Sequence, residues 1–389
     1  MTETAAQKIE LPPYETVALV LQGGGALGSY QAGVYQGLHE AGIMPNWFAG
    51  ISIGALNSAI LAGNAPEKRV ERLIEFWDTI CNSALFPDLS VDDRFAPKLG
   101  NGDLRSAASA FAAARSLFEG QLGFYKLRFP PPFLVTGGGP AATSYYDTSA
   151  LKQTLERLVD FDRINSKEVR VSVGAVDVET GNFVYFDNAN RKLLPEHFMA
   201  SGALPPGFPA VEIEGRHYWD GGLVSNTPLV EVLQHPPRRD TLAFQVDLWS
   251  SRGPMPRNVF DVAERQKDIQ YSSRTRMATN MALDLQKLRR TLRLMLQKLP
   301  DSLDNDPDVV MARDLSCSKV YNVIHLIYHD KAFEAYHKDY EFSRLTMREH
   351  WESGLDDIRR TLAYPEWLER PSNESGIITH DVHRLQPRT

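Results

Sequence analysis

Three short stretches set reactive residue types among glycines: LQGGGALG at 21–28, FAGISIG at 48–54 and YWDGG at 218–222. In the second, Ser52 lies two residues from Gly50 and two from Gly54. That G-x-S-x-G frame fits a nucleophile elbow, a tight strand-to-helix turn that lifts a serine hydroxyl clear of a sheet. Glycines flank it because a neighbouring chain must pass where Cβ atoms would stand. The N–H of Ile53, next after the serine, would then face the charge developing on an attacked carbonyl oxygen. A turn serine capping the helix that follows is the plainer alternative.

A serine hydroxyl is a weak nucleophile until a base takes its proton. Ten histidines are present, and His325, His329 and His350 follow Ser52 in the chain order of a Ser–acid–His triad. His325, however, falls inside an apolar strand pattern and His350 inside a helical one. His217, in EGRHYWDGG, has neither the order nor the setting. Asp220 is the sharper candidate. With Tyr218 and Trp219 before it and Gly221 and Gly222 after it, its carboxylate sits at a strand end beside bulky apolar walls. Desolvation there raises its pKa and its basicity. The alternative is an ordinary Asp-Gly turn.

Gly23, Gly25 and Gly28 satisfy G-x-G-x-x-G between a strand pattern and a helix pattern, the setting of a dinucleotide-binding turn. The acidic ribose ligand expected about twenty residues on is missing, since no Asp or Glu occurs from Ala41 to Pro66. A Walker-type phosphate loop fails too, because no Lys-Ser/Thr pair closes it. The bare N–H groups of such a loop can instead hold an anion, which in acyl transfer is the oxygen of the tetrahedral intermediate. The glycines could also serve only to let helix and strand pack closely.

These residues need rigid elements behind them. The apolar run TVALVLQ (16–22) reads as a buried parallel strand and residues 29–41 as a helix stopped by Gly42. Residues 46–52 and 55–62 repeat the pattern, which points to an α/β parallel sheet. An alanine-rich helix at 105–118 precedes an excursion through FYKLRFPPPFL and VTGGGPAATS. Thr148 is placed to cap a helix over 149–159, 169–176 and 182–187 to form a hairpin, and 241–248 another buried strand. RGPMP at 252–256 marks a boundary. Beyond it come a long helix from 259 to 299, a strand at 319–328 and helix over most of 330–362. The expected organisation is a tail at 1–13, a catalytic core at 14–250, a mainly helical region at 251–365 contributing that strand, and a tail at 366–389.

The chain has 389 residues, 43% hydrophobic and 23% charged, with net charge −7. Nothing in that balance attracts nucleic acid. Two cysteines are too few for a disulfide framework. The N-terminus lacks a signal-peptide pattern, and the apolar window 49–63 is too short to span a bilayer, so a cytoplasmic setting is expected. Residues 258–300 hold nine Lys or Arg against four Asp or Glu, a local +5 that leaves −12 elsewhere. Met281, Leu285, Leu288, Leu292, Met295 and Leu299 form a seam along that helix. The favoured expectation is a seam packed on the core or on a partner helix, the latter a candidate homodimer contact. Arg289, Arg290 and Arg293 off the seam would also suit peripheral membrane contact. FYKLRFPPPFL is the candidate apolar entrance.

In order, Gly23-Gly24-Gly25-Ala26-Leu27-Gly28, Gly50-Ile51-Ser52-Ile53-Gly54 and Asp220-Gly221-Gly222 resemble the motifs of the patatin-like phospholipase family of lipid acyl hydrolases. Ala200-Ser201-Gly202-Ala203-Leu204-Pro205 is similar to that family's fourth block. The resemblance implies a three-layer α/β/α fold with a mostly parallel central sheet, plus the helical C-terminal extension of a bacterial subgroup. It also implies a Ser–Asp dyad working without histidine, metal or organic cofactor. Ser52 would be the nucleophile, Asp220 the base, and Gly24, Gly25, Ala26 and Ile53 the oxyanion donors. The implied substrate is a lipid or simpler acyl ester. A carboxylesterase using the same dyad on short or hydroxyacyl esters, and a non-catalytic lipid-binding protein, are the alternatives. Leu27 departs from the family, many of whose members carry Arg or Lys there, which weakens phosphate recognition by this loop.

Overall fold

Residues 8–82, 103–331, 334, 336–372 and 376–382 are described in the computed structural model of the chain. The first apolar run becomes β1 (Thr16–Leu21), buried at every position. The strands after it are β2 (Trp47–Ile51), β3 (Lys126–Leu127), β4 (Tyr146–Asp147), β5 (Arg170–Asp177), β6 (Phe183–Asp187), β7 (Val211–Ile213), β8 (Arg216–Asp220), β9 (Thr241–Asp247), β10 (Tyr321–Ile327) and β11 (Ile377–Asp381). Among the described residues nine of them form one sheet in the order β11-β10-β9-β1-β2-β5-β8-β7, with β6 also on β5. Pairing is parallel from β11 through β5. It turns antiparallel at β6, β7 and β8.

The helices are α1 (Ser29–Glu40), α2 (Ile53–Ala62), α3 (Arg69–Ile80), α4 (Asp103–Glu119), α5 (Pro140–Thr143), α6 (Ser149–Leu158), α7 (Phe161–Asn165), α8 (Pro195–Ser201), α9 (Leu229–Gln234), α10 (Val259–Leu296), α11 (Pro307–Leu315) and α12 (Arg344–Leu362). Side chains alternate across a strand, so β1 serves two layers. Val17, Leu19 and Leu21 pack with residues of α1, α2 and α3, while Ala18 and Val20 pack with Leu229, Val232 and Leu233 of α9 and Ala282 of α10. The result is a three-layer α/β/α architecture. The helix α12 closes one layer against α1, where Tyr30 donates to Asp357 Oδ2 at 2.9 Å and Trp351 Nε1 to Gln36 Oε1 at 2.6 Å. The C-terminal region therefore supplies a core helix together with β10 and the edge strand β11.

Three expectations are corrected. Thr148 makes no side-chain cap; Asp147 Oδ1 accepts from Ser149 N at 2.8 Å instead, a carboxylate being the stronger acceptor. The segment expected as a tail at 366–389 contributes β11, whose five residues pair with β10. The seam of α10 does not pack on this chain's core: Met281, Leu288 and Met295 are 65%, 65% and 61% exposed. Its inward face is Ala282, Gln286 and Leu296. Gln286 Nε2 donates to Lys319 O at 2.6 Å and Arg290 Nη1 to Ser318 O at 3.1 Å, so hydrogen bonds to the segment before β10 hold that side of the helix inward.

Candidate active site

The strand β2 runs straight into α2, and Ser52 is the hinge, at φ 55° and ψ −123°. Non-glycine residues seldom occupy such backbone, and it persists only where surroundings hold it. Ser201, buried at the end of α8, supplies the hold: its hydroxyl accepts from Ser52 N at 3.0 Å and donates to Gly174 O at 2.6 Å. Gly54 is obligatory for a different reason. A Cβ there would lie 2.3 Å from the Leu21 carbonyl oxygen, so only glycine lets α2 pass that close to β1.

Asp220 ends β8, beside Ala175 of β5, and Ile51 of β2 lies beside Gly174 of the same strand. Two side chains distant in sequence are thus drawn to one end of the sheet. Ser52 and Asp220 line the same cavity, and the Ser52 side chain there favours the ionised form of the Asp220 carboxylate. Gly222 N donates to Asp220 Oδ1 at 2.7 Å and holds the carboxylate in place. Burial pushes the Asp220 pKa up from 3.8 to about 7, against the pull of the Ser52 hydroxyl and the Gly222 N–H.

The glycine loop forms a short 3-10 turn at Gly25–Gly28, with Gly25 at φ +56°. Its base is fixed by side chains far away in the chain. The Gly23 carbonyl accepts from Asn226 Nδ2 at 3.0 Å and Trp249 Nε1 at 2.8 Å. The Gln22 side chain accepts from Leu248 N and Trp249 N at 2.6 and 3.0 Å. One expected oxyanion donor is already engaged: Ala26 N donates to the Asp339 carbonyl at 2.8 Å. That same carbonyl would stand 2.1 Å from a Cβ on Gly25, so a turn of the C-terminal region crosses directly over the loop. Gly24, Gly25 and Ile53 line the cavity together with Ser52, Asp220 and Gly222.

That cavity measures about 300 Å³. Its walls are mainly apolar, with the aromatic side chains of Phe124, Tyr125, Tyr146, Phe208, Trp249 and Phe342 among them. Asp220 and Asp339 are its charged lining residues, and no Lys, Arg or His lines it among the described residues. Leu27 is fully buried. The histidines weighed above are committed elsewhere or face solvent. His325 Nε2 meets Asp247 Oδ2 at 2.5 Å and His350 Nε2 meets Glu334 Oε1 at 2.5 Å. His329 Nδ1 bonds Ile327 O, and His217 is exposed.

Near the loop, Glu264, Asp268 and Asp330 converge closely enough to suggest a cation site. The cation is Lys338, buried, with Nζ 2.8 Å from Asp268 and Asp330 and 3.6 Å from Glu264. Lys267 Nζ binds Asp339 Oδ1 at 2.7 Å. These ion pairs tie the turn that carries the Asp339 carbonyl to α10.

Sequence reasoning singled out the motif block around Ser201 but gave Ser201 no role, and it missed Asn226, Gln22 and Asp339. Asn226 could have been noticed four residues after Gly222. Asp339 carries no signal, because it acts through its main-chain oxygen.

A sharp strand-to-helix turn at Ser52 in a three-layer α/β/α architecture, with a buried carboxylate and an apolar cavity at the same end of the sheet, defines the class as an α/β protein with a mostly parallel sheet. The family is narrower. The family model described as patatin-like phospholipase matches residues 19–233, and one described as patatin phospholipase matches 269–374. The chain belongs to the patatin-like phospholipase family. Patatin-like phospholipase domain-containing protein 6 of Mus musculus and of Homo sapiens is each 37% identical over 76 residues, 20% of this chain. The matched segment spans only 6% of those curated relatives' length. Among solved structures, VipD from Legionella pneumophila aligns over 92% of this chain and 69% of its own, at 14% identity and TM-score 0.37.

Proposed function

We propose that the protein hydrolyses acyl esters of lipids, with Ser52 as nucleophile and Asp220 as base. The observation that carries this reading is a buried carboxylate beside the elbow hydroxyl at an apolar cavity. Asp220 takes the Ser52 proton as Oγ attacks the ester carbonyl. The N–H groups of Gly24, Gly25 and Ile53 receive the oxyanion; removal of one such donor costs roughly 10²–10³ in rate. Collapse of the intermediate breaks the bond to the alcohol, which leaves with the proton held by Asp220. Water, deprotonated by Asp220, then attacks acyl-Ser52, and the serine recovers its proton as the acid departs. A base with pKa about 7 is matched to chemistry near neutral pH.

The same reading extends to substrate choice. Among the described residues two carboxylates and no cation line the cavity, which disfavours an anionic group inside it and favours a neutral acyl chain with any phosphate left at the mouth. A volume of about 300 Å³ is at the low end for small-molecule sites, roughly 300–1,000 Å³. This supports a second reading in which short-chain esters are turned over best. A panel of p-nitrophenyl esters from four to sixteen carbons tests both, with Ser52→Ala as the blank. Equal rates for Ser52→Ala and wild type would remove the mechanism.

A further inference from the structure

The cavity mouth continues outward into an apolar crescent. Leu117 at the end of α4 and Tyr146 of β4 line the cavity, and the Tyr146 hydroxyl donates to the Leu117 carbonyl at 2.9 Å. Tyr146 also faces Leu127 across the β3–β4 pair, while Arg128 N donates to Tyr145 O at 2.9 Å. Tyr145 N and Tyr146 N donate in turn to Pro206 O and Gly207 O, both on the cavity rim. The segment 126–135 is thereby fastened to the rim, yet it points its largest side chains away from the protein. Phe129 is 95% exposed, Phe133 79% and Leu134 65%, and Phe118 beside Leu117 is 76%. Pro130, Pro131 and Pro132 separate the two phenylalanines and stiffen the backbone between them.

We infer that this crescent is a lipid-docking face, on which Phe129 and Phe133 insert into the surface of a lipid aggregate and bring its acyl esters to the cavity mouth. The inference deepens the hydrolase reading above and rests on it for the direction of substrate entry. Large apolar side chains exposed beside a cavity mouth mark a docking site, and their link to a cavity whose described lining is mainly apolar and holds no cation selects lipid as the occupant. The charge pattern agrees. Lys126, 67% exposed, and Arg128 flank the aromatic tip, as suits a helix or loop seated at the level of lipid head groups. Of the nearby carboxylates, Asp147 faces Lys126 across the β3–β4 pair at 3.8 Å and leaves its ammonium largely exposed, and Glu119 at the end of α4 is paired with Arg115 at 3.0 Å. The exposed stripe of α10 is the rival face, but Met281, Leu288 and Met295 line no part of the cavity.

The test uses full-length protein and sedimentation with unilamellar vesicles of phosphatidylcholine and phosphatidylglycerol. Ser52→Ala should bind like wild type, and Ser52→Ala/Phe129→Ser/Phe133→Ser should bind at least about tenfold more weakly, given the apolar area withdrawn. Leu288→Ser/Met295→Ser should change binding little. In the active background, Phe129→Ser/Phe133→Ser should keep the wild-type rate on dissolved p-nitrophenyl butyrate and lose most of the rate on vesicle-borne ester, which also shows that the variant folds. Absence of wild-type binding, undiminished binding by the double variant, or loss of binding only in the α10 variant would each overturn the inference. Vesicle binding without any esterase activity would sink the chemistry and leave the docking face standing; activity without binding would do the reverse.

Discussion

Asp220→Asn separates what the carboxylate does for catalysis from what its burial does to stability. Its folded pKa of about 7 against an ordinary 3.8 means that the unfolded chain gives up this proton more readily than the folded one. Below pH 4 both states hold the proton and burial of the charge costs nothing. Between about 4 and 7 the unfolded state ionises first, so stability falls as pH rises; above 7 both are ionised and the loss levels off. The difference corresponds to about 4 kcal/mol at 1.36 kcal/mol per pKa unit. Asparagine is neutral throughout and keeps an oxygen for the Gly222 N–H. The variant should therefore match wild type in urea unfolding near pH 4, exceed it by roughly 1–2 kcal/mol at pH 5 and by as much as about 4 kcal/mol at pH 8. Its kcat should fall by about 10²–10⁴, the usual contribution of a general base, while wild-type kcat/KM should rise with pH through about 7. A stability difference independent of pH, or an Asn variant active at pH 8, would refute the assignment.

Ser201→Ala removes the acceptor for Ser52 N and should cost about 1–3 kcal/mol in chemical unfolding, with kcat reduced more than KM is changed because the elbow loosens. Gly54→Ala forces a Cβ against the Leu21 carbonyl at 2.3 Å and should lower Tm by an amount equivalent to about 1–3 kcal/mol with loss of activity; a fully active, equally stable variant would show that the turn tolerates bulk. Lys338→Met strands the carboxylates of Asp268 and Asp330 without their buried partner. It should cost about 3–5 kcal/mol at neutral pH, and less in acid, where the carboxyl groups are protonated; a neutral effect at pH 7 would contradict the cation's structural role.

The parts of this molecule that were legible in the chain are those dictated by near neighbours. The run 16–22 could only be a buried strand, and the hairpin of β5 and β6 follows from alternation on either side of a Thr-Gly turn. Glycines at 50 and 54 announce the elbow because close backbone passage admits no other residue there. Asp220 stands out in the sequence for a similarly local reason, the aromatic pair before it and the two glycines after it. The supports of the site were not legible, since they join residues hundreds of positions apart: Trp249 to Gly23, and the Asp339 carbonyl to Ala26. Main-chain acceptors leave no imprint on residue type. Ala26 illustrates the cost, as its N–H fits the motif but is engaged by a segment that the motif does not contain. The α10 seam misled because helical periodicity identifies an apolar stripe without saying what it faces, and hydrogen bonds from Gln286 and Arg290 turn the opposite side inward. The strand β11 was hidden in a short segment, IITHD, whose pairing depends on an edge offered by β10.

The most direct test is intact-mass analysis after exposure to a fluorophosphonate at pH 8. Wild-type protein should gain a single adduct, mapped by peptide sequencing to Ser52, Ser52→Ala should gain none, and Asp220→Asn should react at least about a hundredfold more slowly, as loss of a general base requires. An adduct on another serine, or unchanged labelling in the Asp220→Asn protein, would contradict the assignment of these two side chains as nucleophile and base.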